Sequence, residues 1–196
     1  MKVSREQAAE SRQRVIEVAS KLFREHGLDG IGVADLMKSA GFTHGGFYRH
    51  FGSKEELMAE ACTRAVDASV SKLRERIDQT PENPLAAVMS SYLSSAHCEH
   101  PGEGCALAAL GSEASRHGEA VRHAMTQGIR EFIDLLTMIV PGRSKSARYE
   151  KALATYASMV GAVVLARNVD DPALAEQILQ SVSTSILGPS SGNSHP

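Results

Sequence analysis

At 196 residues the chain is long enough to bury a core in one or two domains. Its 21 Lys and Arg against 23 Asp and Glu leave a net charge of −2, which excludes a sequence-indifferent coat on nucleic acid and means that any DNA contact needs a local basic patch. Three cysteines, Cys62, Cys98 and Cys105, stand at irregular spacing, form no disulfide framework and suit a reducing compartment.

The segment MKVSREQAAESRQR is hydrophilic and lacks the apolar run of a signal peptide. The longest apolar stretch, Ala152 to Ala166, is interrupted by Thr155, Tyr156 and Ser158. Both features predict a cytoplasmic protein with no membrane partner. Apolar residues recur at helical period almost throughout and no segment alternates as a strand does, so the fold class is all-α with about nine helices.

The first helix is predicted over Glu6 to His26, with Val15, Ile16, Ala19, Leu22 and Phe23 inward and Gly27 as its stop. Val33, Leu36, Met37 and Ala40 mark the apolar face of a short second helix. Gly41 is suited to the left-handed conformation that closes it, with Phe42 packing back. Thr43 is a good N-cap for a third helix, which turns Phe47 and Phe51 inward and leaves His44, Gly45, Tyr48, Arg49 and His50 outside. Two short helices joined by a glycine turn, the second carrying such groups, form a helix-turn-helix. Ser53 and Glu56 read as a capping box opening a long helix to about Ile77. Lys54 in its first turn opposes the helix dipole unless an external phosphate is present, so Lys54 is a candidate phosphate ligand. Arg5, Arg12, Arg14, Arg49 and Lys54 are the candidates for the basic patch.

Beyond a break at Gln79 to Pro84, helices are predicted over Leu85 to His97, from Cys105 to a stop at Gly118, over Glu119 to Val140, Ser146 to Asn168 and Pro172 to Leu187. The polar tail is expected to be disordered. The expected domains are a DNA-binding domain, 9–69, an effector and dimerisation domain, 70–188, and the tail, 189–196. In the last two helices Ala154, Ala157, Gly161 and Ala162 permit close helix approach, while apolar residues on nearly every side call for a cover. That predicts a homodimer through a four-helix interface carrying Tyr156, Val160, Gly161, Val164, Ile178 and Val182.

In the second domain Leu85, Met89 and Phe132 are among the residues that suit either a core or an effector cavity, with Tyr92, His97, Glu113 or His123 as polar anchors. Cys105 follows a glycine-rich turn and opens a helix, where unpaired amides favour thiolate. With Cys98 as a resolving partner it is a candidate redox or electrophile sensor, and packing as a small apolar side chain is the ordinary alternative. His97, Cys98, His100 and Cys105 have metal-ligand chemistry but match no standard zinc spacing, so no metal and no cofactor is expected. Glu113 with His117 and Glu119 with His123 read as i,i+4 surface partners. No phosphate loop or His-Glu-x-x-His pair is present, and the chain is not expected to be an enzyme; a helical metal-binding protein or metal-dependent enzyme using these His, Cys and Glu residues is the competing class.

The stretch FREHGLDGIGVADLMKSAGFTHGGFYRHFGSKEEL resembles the N-terminal domain of the tetracycline-repressor (TetR) family of bacterial transcription regulators. The resemblance implies that Thr43, Tyr48 and Lys54 hold phosphates, that His44 and Gly45 approach base edges and that His50 lies near the backbone. It implies a repressor that pairs through its last two long helices, places two recognition helices about 34 Å apart on a palindromic double-stranded operator, and answers a small-molecule effector. Gly45 and Gly46 depart from the residues with longer side chains that many members carry. GCALAAL and Glu113 are similar to the corresponding segment of electrophile-responsive members, which implies a thiol effector route through Cys105.

Overall fold

In a computed structural model that describes residues 5–188, every regular element is helical. The tail assigned to 189–196 lies outside the described residues. The α-helices are α1 (Arg5–His26), α2 (Val33–Ser39), α3 (Lys54–Gln79), α4 (Pro84–Tyr92), α5 (Ser95–Glu99), α6 (Ala106–Ala114), α7 (Glu119–Ile139), α8 (Lys145–Arg167) and α9 (Pro172–Leu187), with 3-10 segments at His44–Arg49 and Pro101–Glu103.

The helices form two compact units, one of residues up to Ser69 with Pro101–Ile129, the other of Val70–His100 with residues from Arg130. Helices α3 and α7 run on from one unit into the other. A division at residue 69 alone assigns 101–129 to the second domain, whereas by contacts this segment packs with the N-terminal helices.

In the first unit, Val15, Ile16, Ala19 and Phe23 of α1 are buried against Leu28, Leu36, Met37, Phe47, Phe51 and Leu57, each large side chain contributing roughly 1.5–3 kcal/mol by leaving water. Helix α6 joins this core through Ala106, Leu110 and Ala114. Glu113 of α6 accepts the Leu28 amide at 2.8 Å, and Glu55 at the start of α3 accepts the Gly118 amide at 2.7 Å. His117, predicted as a surface partner of Glu113, instead faces Glu55 at 3.3 Å and Asp29 at 3.6 Å. These carboxylates satisfy amides that no helix ladder supplies, which is why 101–129 stays with the N-terminal helices.

In the second unit Phe132 of α7 stacks on Tyr156 of α8 at 4.7 Å, and α8 packs along α9. Ser144 caps α8 through the Ala147 amide, and Asp171 caps α9 ahead of Pro172. The helix predicted over Leu85 to His97 is broken. Leu93 leaves helical geometry at φ −91° and ψ 61°, and the Ser94 hydroxyl accepts the His97 amide to start α5. A serine that bonds locally competes with helix continuation, and periodicity alone does not reveal it.

Candidate nucleic-acid interface

Helix α2 closes as its sequence predicts. Gly41 sits at φ +84° and donates to the Lys38 carbonyl at 3.0 Å, while the Phe42 amide reaches back to Met37 at 2.8 Å. This bond pair is the Schellman closure, which requires the left-handed residue that glycine supplies without steric cost. It turns the chain sharply into His44–Arg49.

That segment is a 3-10 helix of six residues rather than an α-helix. Gly45 and Gly46 lower helix propensity by up to about 1 kcal/mol each relative to alanine, and so short a run gains little from cooperativity. Thr43 takes the extended N-cap geometry, but its hydroxyl makes no cap hydrogen bond; its carbonyl accepts the Gly46 amide at 3.0 Å. Orientation comes from the rings: Phe47 and Phe51 are buried and stacked at 5.4 Å. Tyr48 is 70% exposed and lies edge-on to Phe47 at 5.2 Å and to His44 at 6.3 Å. Thr43, His44, Gly45, Tyr48 and Arg49 are thus exposed together, and His50 is half-buried beside Phe42.

Helix α3 begins as the capping pattern predicts, with one shift. The Ser53 hydroxyl accepts the Glu56 amide at 3.1 Å, but the Glu56 carboxylate takes the Gly52 amide at 2.8 Å, one residue before the usual partner. Lys54 is half-buried with its ammonium 5.9 Å from the centre of the Phe23 ring. Glu55 and Glu56 satisfy the helix dipole that Lys54 opposes.

The family match falls on this region, and relatives and solved structures match more of the chain. Residues 15–61 match the family of bacterial regulatory proteins called the tetR family. The transcriptional regulator LmrA of Bacillus subtilis is 25% identical over 80% of this chain and 86% of that protein. The transcriptional repressor NemR of Escherichia coli is 28% identical over 65% of this chain and 66% of that protein. A TetR-family regulator from Cytophaga hutchinsonii superimposes with a TM-score of 0.78 at 23% identity, covering 96% of this chain and 98% of that one. A reduced form of Escherichia coli NemR gives 0.74 at 23% identity, covering 90% and 97%.

The other sites singled out in the sequence are placed as follows. Cys105 is the N-cap residue of α6, as its position after the glycines predicts, and it is buried. Arg24 lies at this corner, also buried, and donates to the Gly104 carbonyl at 2.8 Å and the Ser20 carbonyl at 3.0 Å. Burial pushes the Arg24 pKa down, and the charge of Cys105 works against that shift. Sequence periodicity gave no sign of Arg24, because an arginine on the inward stripe of α1 is visible only as a break in an apolar pattern.

Tyr92, His97 and Cys98 are brought together in the second unit. The Tyr92 ring meets His97 edge-on at 4.5 Å, and His97 Nδ1 is 2.7 Å from the Tyr92 carbonyl. Arg167 donates to the carbonyls of His97 and Cys98 at 2.7 and 3.1 Å. Burial pushes the His97 pKa down, and its hydrogen bond to Tyr92 opposes this. Burial pushes the Cys98 thiol up. Cys105 belongs to the first unit, and among the described residues no group of three or more His, Cys, Asp or Glu is placed to hold a metal ion.

Of the residues assigned to a dimer interface, Val164 is exposed, and Val160, Gly161, Ile178 and Val182 are half-buried. Tyr156 faces inward onto Phe132. No helix of the described residues is long and apolar enough to cross a membrane.

Proposed function

We propose that the protein is a homodimeric transcriptional repressor that reads a palindromic double-stranded operator. One observation carries this: Thr43, His44, Gly45, Tyr48 and Arg49 lie exposed together around a short segment whose Phe47 and Phe51 are buried. Tyr48 touches Phe47 and His44 yet leaves most of its surface in water among polar groups, which suits an external ligand, and hydroxyls, a lysine at a helix start and guanidinium groups suit phosphates. Thr43, Tyr48 and Lys54 hold phosphates, His44 and Gly45 face base edges, and His50 lies near the backbone.

The dimer forms through α8 and α9. Val160, Gly161 and Val164 share one face of α8, and Leu174, Ile178 and Val182 share one of α9, with Val164 and Leu174 exposed in the protomer. A small apolar effector, or modification of Cys105, releases DNA by favouring a state in which the two reading segments no longer match the groove. Cys105 is suited to this because it is buried at the start of α6, so that a group added to its sulfur must disturb the packing there, next to the Gly104 carbonyl that Arg24 of α1 holds. Of the relatives named, NemR is a transcriptional repressor, which supports repression.

The test is selection of duplexes from a randomised pool by the purified protein. A preferred inverted repeat that wild type binds, and that Tyr48→Phe with Lys54→Ala does not, supports the function. A pool returned without preference refutes it.

A further inference from the structure

Arg12 is one of the basic residues that the sequence offers to DNA, yet its guanidinium is turned inward. It donates from Nε to the His50 carbonyl at 3.1 Å and from Nη2 to Glu56 at 3.2 Å, and both terminal nitrogens bond the Glu60 carboxylate. Its guanidinium carbon stands 4.7 Å from the centre of the Phe51 ring. Hydrogen bonding to Glu60 and the charges of Glu60 and Glu56 push its pKa up, with partial burial working against them. One side chain of α1 therefore ties together the first carbonyl after the reading segment, the ring that anchors that segment, and two carboxylates of α3. A bidentate carboxylate pair fixes direction as well as distance.

The segment needs such a tie. With Gly45 and Gly46 it forms a 3-10 helix, and its end is closed by only the His50 and Phe51 amides on the Phe47 carbonyl, at 2.9 and 3.0 Å. The carbonyl of His50, the residue that follows the segment, is held by Arg12. We infer that Arg12, locked by Glu56 and Glu60, is a positioning residue that aims the reading segment at DNA and is not itself a phosphate ligand. This rests on the proposed DNA-reading function and names a specificity determinant that touches no base.

The two roles give opposite signs at Glu60. A phosphate-binding Arg12 would be freed by Glu60→Gln, which also removes a negative charge near DNA, so binding would tighten. A positioning Arg12 would lose its lock, so specific binding would weaken. The probe is the duplex that wild type selects from a randomised pool, compared with a scrambled duplex of the same composition, over a range of salt. The expected results are a loss of about tenfold on the selected duplex for Arg12→Ala, a smaller loss for Glu60→Gln, and a partial loss for Arg12→Lys, which keeps the charge but not the fork. Affinity for the scrambled duplex and the salt slope of Arg12→Ala should stay as in wild type. Thermal unfolding followed alongside separates loss of fold from loss of aim, and if Arg12→Ala does not fold, the sign of the Glu60→Gln effect decides.

Tighter binding by Glu60→Gln, or an Arg12→Ala salt slope lower by about one with equal losses on both duplexes, overturns the inference and makes Arg12 a phosphate contact. Unchanged specific binding by folded Arg12→Ala and Glu60→Gln overturns it as well, while leaving DNA reading intact. A pool from which wild type selects no duplex instead removes the DNA-reading function, and the positioning role with it.

Discussion

Gly45 and Gly46 are adjacent and share a 3-10 segment, yet replacing each with alanine should have different consequences. Neither is among the glycines with positive φ, so neither is demanded by the backbone. A Cβ on Gly45 would meet nothing within 4 Å, and a Cβ on Gly46 would stand at ordinary contact, 3.6 Å from the Met37 methyl and 3.8 Å from the Thr43 hydroxyl. Each alanine should therefore stabilise the free protein by about 0.4–1 kcal/mol through the lost freedom of the unfolded chain. For a chain of this size that raises the unfolding midpoint by roughly 1–4 °C. On DNA the two separate. The Gly45 methyl points outward, where base edges would lie, and inserting it into a packed contact costs about 1–3 kcal/mol, or roughly fivefold to more than a hundredfold in Kd. The Gly46 methyl points toward α2 and should leave affinity within about twofold of wild type. Calorimetric melting and titration of the selected duplex measure both quantities. Gly45→Ala with wild-type affinity, or equal losses for both variants, would refute the placement of Gly45 against the groove.

Other outcomes follow from the same geometry. Tyr48→Phe and Lys54→Ala should weaken binding of the selected duplex with little change in melting, and Lys54→Ala should lower the salt slope by about one; an unchanged slope removes Lys54 from the phosphates. Gly161→Leu should convert the proposed dimer to monomer in sedimentation and abolish operator binding, since a Cβ there meets nothing within 4 Å in the protomer and the added side chain would project into the close helix approach proposed for the partner. An intact dimer moves the interface elsewhere. Cys105 should alkylate faster than Cys62, whose thiol is pushed up to about 12 chiefly by burial and so stays protonated at neutral pH. An electrophile should release DNA from wild type and not from Cys105→Ser; equal release from both leaves a reversible ligand as the trigger. The Cys105→Ser variant should also lose roughly 1–3 kcal/mol by burying a hydroxyl, read as a lower unfolding midpoint.

Much of the fold was legible because its signals are local. Gly27 and Gly41 stop helices where positive φ is needed, Pro172 opens α9, and the apolar period marks the long helices. What failed was set by competition or by distance. Gly45 and Gly46 turned an expected α-helix into a 3-10 segment, a contest between weak propensity and ring packing that a period count does not weigh. Ser94 divided a helix by capping its second half. At the site, the exposed set of Thr43, His44, Gly45, Tyr48 and Arg49 was readable from spacing, because one turn of chain decides which way they face. Arg12 and Arg24 were not. A cation's role depends on which carboxylate or carbonyl meets it, and Glu60 and Gly104 lie 48 and 80 residues away in sequence.

That distinction bears on how a chain with net charge −2 would grip the proposed operator. Turning Arg12 inward removes a cation from the DNA face and brings Glu56 and Glu60 into internal pairs, so both signs are neutralised locally. The exposed Arg14 and Arg49 with half-buried Lys54 remain on the elements around the reading segment. Few cations per protomer give a weak non-specific attraction, because that term scales with the phosphates neutralised. Discrimination must then come from aim: two reading segments held at a fixed spacing by the proposed dimer and each oriented by its own arginine clamp. On this account loosening either the α8–α9 interface or the Arg12 tie costs specificity before it costs charge, and an effector needs to shift only the orientation of a short segment to empty the operator.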